Sequence, residues 1–190
     1  AAGGSIVAAA GAPWLVYPID LIGYVKLTTT NVSTTGTKTV TMTPISNTAA
    51  KVDRYANGEG LRMFVGAYAA MGANAPTMQI TYTNSAGTAS RVTTSGCVST
   101  ASATSGTILN SGNAANKYGP FLPLQGNDTG VKDIENIIWG GTAHASGSVV
   151  ICLCKPLVAL PIPVPATGLF NLFDYVNTIP SYPQMKDGCN

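Results

Sequence analysis

Apolar residues in this chain come in short runs, many alternating with polar ones, with turn-forming residues between them. The pattern is clearest in TMQITYTNSAGTASRVTT at 77–94, where Met78, Ile80 and Tyr82 alternate with Gln79 and Thr81. A period of two puts those three side chains on one face of a strand. NSAG at 84–87 has turn chemistry, so a hairpin is expected, with its second strand reaching Thr94. LRMFVGAYAAMG reads as a strand carrying Leu61, Met63 and Val65 on one face. Thr alternates with apolar residues on either side of Gly36 in TTTNVSTTGTKTVTMTP, a second hairpin candidate. Nearer the start, PWLVYPIDLIGYVKL is interrupted at Pro18 and Gly23 and reads as two short extended pieces.

The most apolar region is 130–160, GVKDIENIIWGGTAHASGSVVICLCKPLVAL. SVVICLC is rich in β-branched residues and too short for a helix, which predicts a buried strand ending near Lys155, before Pro156. The earlier run, 134–139, has two readings. Val131, Ile134 and Ile138 fall at helical spacing, whereas Ile134, Asn136 and Ile138 would share one face of a strand. The short Gly-rich connection favours a β-hairpin made of the two runs, with His144 in its turn. Residues 95–116 read as a long loop or loose edge strand with a small apolar island at Ile108 and Leu109. After Leu160 the prolines of PIPVP favour an extended connector. One short helix follows, capped by Thr167, with Leu169, Leu172, Phe173 and Val176 at i, i+3, i+4 and i+7, and stopped by Pro180.

These elements predict a mainly β chain: an antiparallel β-sandwich, jelly-roll-like, with one short C-terminal helix and extended terminal arms. The expected division is a flexible N-terminal arm at 1–12, a sandwich at 13–160, and a Pro-rich connector, helix and tail at 161–190.

Composition adds a constraint. Only 9 % of the 190 residues are charged, against roughly 25 % in ordinary soluble domains. The surface implied is polar but uncharged, which suits burial in an assembly. The net charge of +2 comes from scattered basic residues, so no nucleic acid is expected as a partner. No apolar run approaches the roughly 18 residues of a membrane span, so no membrane is expected either. AAGGSIVAAAGAP makes a poor signal peptide. Without a secretion signal, the sequons at Asn31 and Asn127 carry little weight.

Chemistry is sparse. Cys152 and Cys154 would project from the same face of one strand, which disfavours a bond between them, so they read as buried free thiols. A Cys97–Cys189 bridge stays open. With His144 the one histidine, a metal site lacks ligands, and any Ser or Cys nucleophile would need that residue as its base. No Gly-x-Ser-x-Gly elbow or phosphate-cradling loop occurs. Asp20, Asp53, Glu59, Asp128, Asp133, Glu135, Asp174 and Asp187 are the available carboxylates, and none has a context that predicts a raised pKa. Asp133 and Glu135 would share a strand face and meet solvent or a partner's Lys. Trp14 and Trp139 sit in apolar company and read as core. No catalytic, cofactor-binding or metal-ligating residue is assigned, and no cofactor is expected.

Three blocks nevertheless resemble structural proteins of tailed-bacteriophage virions: GVKDIENIIW with GSVVICLCKPL, the hairpin ITYTNSAGTASRV, and IPSYPQMKDGC near the end. The two Cys of 150–154 depart from the Leu/Val-rich strand expected there. The resemblance implies a non-enzymatic virion component, such as a capsid decoration (cement) protein. Its partners would be the major capsid protein or other virion proteins and further copies of itself, as a trimer or dimer, with assembly in the host cytoplasm. A tail or neck protein, or a carbohydrate-binding receptor-recognition sandwich, are the alternatives. Residues 1–12 and the connector at 156–166 are expected to reach neighbouring subunits.

Overall fold

The structure is a computed structural model and describes residues 14–45, 54–94, 99–109 and 120–162. The expected arm at 1–12, the helix after Thr167 and the Cys97–Cys189 pair lie outside the described residues. By contact the chain divides into two compact units, one of Leu21–Lys155 and one of its two terminal parts.

The described part of the terminal unit is a two-stranded antiparallel ribbon. β1 (Trp14–Val16) pairs with β10 (Leu160–Ile162) in the register Trp14 to Ile162 and Val16 to Leu160. Chain segments nearly 150 residues apart in sequence are thereby zipped together.

The larger unit holds two four-stranded sheets. One has the order β4-β2-β9-β5, formed by Thr43–Pro44, Ile19–Leu27, Ser148–Pro156 and Arg62–Ala69. The other has the order β3-β8-β6-β7, formed by Gly36–Thr39, Val131–Gly140, Thr77–Asn84 and Arg91–Val92. A one-turn helix, Thr29–Val32, follows β2. The chain alternates between sheets: β2 to β3, back to β4 and β5, across to β6 and β7, and finally from β8 to β9. A bridge between Gly66 and Ile108 lays the predicted apolar island along the free edge of β5 before the chain enters β8. This wrapped connectivity is that of a jelly-roll sandwich.

Alternation explains the core. Met63, Val65 and Ala67 of β5 lie opposite Leu153, Ile151 and Val149 of β9. In the second sheet Met78, Ile80 and Tyr82 lie opposite Trp139, Ile137 and Ile134. All twelve are buried in one cluster that draws on both sheets. Fully burying an aliphatic side chain stabilises by roughly 1.5–3 kcal/mol, so this interlayer is the main source of stability. β9 is buried on both faces, because Cys152 and Cys154 on its other side are covered as well.

Several expectations need correction. The runs 134–139 and 148–153 do not pair as a hairpin: β8 and β9 belong to different sheets, and the Gly/Ala/Ser segment between them is a crossover. The same holds around Gly36, where β3 pairs with β8 and β4 with β2. The intervening Met42 is buried in the core, which draws the chain from one layer to the other. Gly23 does not break its strand. It sits inside β2, where an added Cβ would press on the Met42 side chain at 3.0 Å. The second strand of the 77–94 hairpin is only two residues, Arg91–Val92.

The two readings of 131–139 resolve through irregularities in β8. Thr81 faces Asn136 while Tyr82 faces Ile134, which leaves Glu135 without an opposite number; Lys132 is skipped in the same way. Each such β-bulge shifts the alternation by one. Val131, Ile134, Ile137 and Trp139 therefore all turn inward, and a bulged strand imitates helical spacing. Ile134 shares its face with Ile137, not with Asn136 and Ile138.

The sheet edges are short or covered. β3 carries Lys38, β4 ends at Pro44, and β7 is a two-residue strand. The β5 edge is occupied by backbone bonds from Ala67 N to Thr107 O at 2.8 Å, Leu109 N to Val65 O at 2.7 Å and Leu122 N to Met63 O at 2.8 Å. Such features suppress uncontrolled strand addition.

Candidate functional site

Asp128 anchors the densest polar network. It lies in the turn that leads into β8, and both its oxygens are engaged. Oδ2 accepts from Tyr82 Oη at 2.7 Å and Arg91 Nε at 2.9 Å. Oδ1 accepts from Asn84 Nδ2 at 2.8 Å and Arg91 Nη2 at 3.3 Å. The loop is tied further by Gln125, whose N–H donates to Tyr82 Oη at 2.8 Å and whose Oε1 accepts from Val92 N at 3.1 Å. Asn84 also closes the hairpin turn by accepting from Thr88 N at 2.8 Å.

The electrostatics follow from these contacts. Burial pushes the Tyr82 hydroxyl up, and its bond to the Asp128 carboxylate pushes it further, to about 12. Burial alone would raise the Asp128 carboxyl, but hydrogen bonds from Arg91, Tyr82 and Asn84 outweigh it and hold the group below its ordinary value. A carboxylate that is ionised and saturated with donors is a poor general base. Beside it is an open groove of about 300 Å³ lined by Arg62, Phe121, Leu122, Pro123, Leu124 and Asp128. Arg62 spends one donor on Thr129 O at 3.3 Å.

The second cluster surrounds His144. This residue is not a solvent-facing turn residue, as the hairpin reading required, but fully buried, because the crossover folds back onto the end of the sandwich. Its Nε2 lies 2.7 Å from Ser99 Oγ, and its ring meets Trp139 edge-on with centroids 5.8 Å apart. Burial pushes its pKa below the usual imidazole value, against a smaller opposing effect of the Gly72 and Asn74 backbone. Among the described residues Trp139 Nε1 and His144 Nδ1 find no hydrogen-bond partner. The fold thus brings together the serine and histidine that a hydrolytic reading would need. Both are buried, however, and no acidic group orients Nδ1. A nucleophile must sit about 3 Å from the atom it attacks, within reach of substrate. The closed geometry makes this pair a structural contact.

The thiols behave as their spacing suggests. Cys152 and Cys154 are free and buried; burial pushes the Cys152 thiol up to about 11, and Cys154 Sγ rests on Arg62 O at 3.7 Å. Among the described residues no group of three or more His, Cys, Asp or Glu is placed to hold a metal ion. No helix among them is long and apolar enough to cross a membrane.

The remaining carboxylates have local partners. Glu135 does not share a solvent-facing row with Asp133. As a bulge residue it accepts from Thr83 Oγ1 at 2.7 Å and Ser90 N at 3.2 Å, while Asp133 Oδ1 accepts from Ile134 N at 2.9 Å. Glu59 Oε2 accepts from Thr129 Oγ1 at 2.9 Å, and Asp20 is buried. Asp53, Asp174 and Asp187 lie outside the described residues. Trp139 is core, as expected.

Sequence reasoning missed both networks. Ser99 and His144 are 45 residues apart, and Asp128 lies 37 from Arg91 and 46 from Tyr82. Nothing local in NDTG at 127–130 marks which donors its Asp will meet. No protein-family model, curated protein or solved structure matches the chain.

Proposed function

We propose that this chain is a non-enzymatic structural protein of a bacteriophage virion, decorating and stabilising the capsid through contacts with the major capsid protein and with copies of itself. The observation that carries the reading is a jelly-roll sandwich built from a chain with only 9 % charged residues. That wrap recurs in viral shell proteins and in lectins, so fold alone does not choose between them. Two further features favour the shell. The sequence blocks whose resemblance to virion proteins suggested the reading cover β6–β7 and β8–β9, strands that frame the core. The exposed apolar residues include Tyr68, 54 % exposed, and Ile108, 42 % exposed, both at the β5 edge. Apolar and aromatic side chains at a weakly charged surface are the usual material of a protein–protein contact.

The carbohydrate-binding alternative wants an accessible aromatic face. Trp139 is buried, and Lys26 Nζ occupies one face of the exposed Tyr68 ring at 3.8 Å from its centroid. Localisation in the virion, after assembly in the host cytoplasm, belongs to the same proposal. Its test is rebinding: purified protein is titrated onto particles that lack it. Saturation at a copy number set by the symmetry axes supports the proposal, and absence of saturable binding overturns it.

A further inference from the structure

The buried histidine has a consequence that does not depend on what the chain assembles with. Three segments converge on the His144 ring at one end of the sandwich. Residues 71–76 leave β5, residues 99–103 return toward its edge, and the crossover 140–148 joins β8 to β9. Backbone bonds stitch them together: Met71 N to Ala103 O at 2.8 Å, Gly72 N to Ser146 O at 3.0 Å, Ser99 N to Pro76 O at 2.8 Å and Ser102 N to Gly72 O at 2.9 Å. Asn74 Nδ2 adds a bond to Ala143 O at 2.7 Å. Packing is tight, since a Cβ on Gly72 would meet the amides of Ala145 and Ser146 at 2.9 Å. The Ser99–His144 bond is the side-chain contact at the centre of this junction.

No charged side chain on these segments compensates a positive ring, and the Gly72 and Asn74 backbone offsets burial only in part. MGANAP at 71–76, STASA at 99–103 and GGTAHASGS at 140–148 contain no titratable side chain other than His144. On β8, which supplies Trp139, the charged residues are Lys132, Asp133 and Glu135. Lys132 is exposed, Asp133 bonds to Ile134 N, and Glu135 is held by Thr83 and Ser90. On neighbouring β6 the titratable group is Tyr82, committed to Asp128. A charged imidazole placed here would be desolvated with no anionic partner on these segments, which is unfavourable.

We infer that the Ser99–His144 pair is a proton-operated latch: the neutral ring holds the three segments together, and protonation releases them from the end of the sandwich. The sign follows from linkage. The folded state resists the proton that the unfolded chain accepts near 6.5, so the stabilisation is complete above that pH and is lost as the pH falls below it. One linked proton raises the opening equilibrium by up to about tenfold per pH unit in that window.

The test uses the full chain, whose one histidine gives an unambiguous imidazole NMR signal. The ring is followed from about pH 8 to about pH 5, the range in which an ordinary histidine titrates. Exchange of the Met71, Gly72, Ser99 and Ser102 amides is measured alongside, corrected for the intrinsic pH dependence. The latch predicts a ring still neutral at 6.5 whose eventual protonation coincides with loss of protection at those four amides. The Thr93 amide, bonded to Ile80 O at 2.9 Å, keeps its protection. In His144→Gln the acid-dependent loss disappears; in Ser99→Ala, which keeps the ring, it begins at higher pH. A ring that titrates at 6.5 with unchanged protection overturns the inference. So does an unaltered acid loss in His144→Gln, or an unaltered onset in Ser99→Ala.

Discussion

At the scale of single residues, the network around Asp128 shows how one carboxylate can tie separate segments of a surface together. It joins the β6–β7 hairpin to the loop entering β8 and keeps the buried Tyr82 hydroxyl satisfied. Tyr82→Phe removes the donor to Asp128 and the acceptor for Gln125 N, and should cost about 2–4 kcal/mol, the net worth of one charge-assisted and one neutral hydrogen bond. Chemical denaturation of the two proteins checks it. The same hydroxyl should ionise near pH 12 in a spectrophotometric titration. Because the folded state holds this proton more tightly than the unfolded chain does, its contribution is complete below about pH 10 and is lost as the pH rises further. The Asp128 contribution runs the opposite way, present above about pH 4 and lost in acid. Little of this was legible in the sequence. Burial of the thiols followed from the β-branched run around them. The partners of Asp128 and His144 depend on long-range register, which no local pattern encodes.

At the scale of elements, strands were legible where side chains alternate, as in β5 and β6, and where a β-branched run is too short for a helix, as in β9. The pairings were less so. Short Gly-rich connections suggested hairpins at 134–153 and around Gly36, yet both segments cross between layers. A small-residue linker fits either geometry, and the choice is made by the apolar residues inside it. Met42 and His144, both buried, pull their linkers across the end of the sandwich instead of letting them turn in solvent. The bulges at Lys132 and Glu135 explain why β8 mimicked helical spacing. One element-level feature is testable with a single methyl group. The 3-10 turn Ala56–Gly58 approaches the start of β8 so closely that a Cβ on Gly130 would run into the Gly58 carbonyl oxygen and lie 2.7 Å from Gly60 N. Backbone on both sides leaves no flexible neighbour to move. Gly130→Ala should therefore destabilise by about 1–3 kcal/mol, the usual penalty for overpacking, seen as a lower denaturation midpoint. An unchanged midpoint would mean that the two segments do not touch.

At the scale of the molecule, the two-sheet sandwich was readable because so many short strands leave few other ways to bury the apolar positions. β1 and β10 join residues 14–16 and 160–162 in one ribbon, so any contact made there is made by both together. A two-stranded ribbon is marginal by itself, which agrees with the idea that this part of the chain works against a neighbour. The account therefore rests on assembly. Its most direct test is a cryo-EM reconstruction of purified particles that carry the protein. It predicts density for the two-sheet unit at repeated, symmetry-related positions on the capsid, in contact with the major capsid protein. Particles with no such density, from which the protein is absent by mass spectrometry as well, would contradict it.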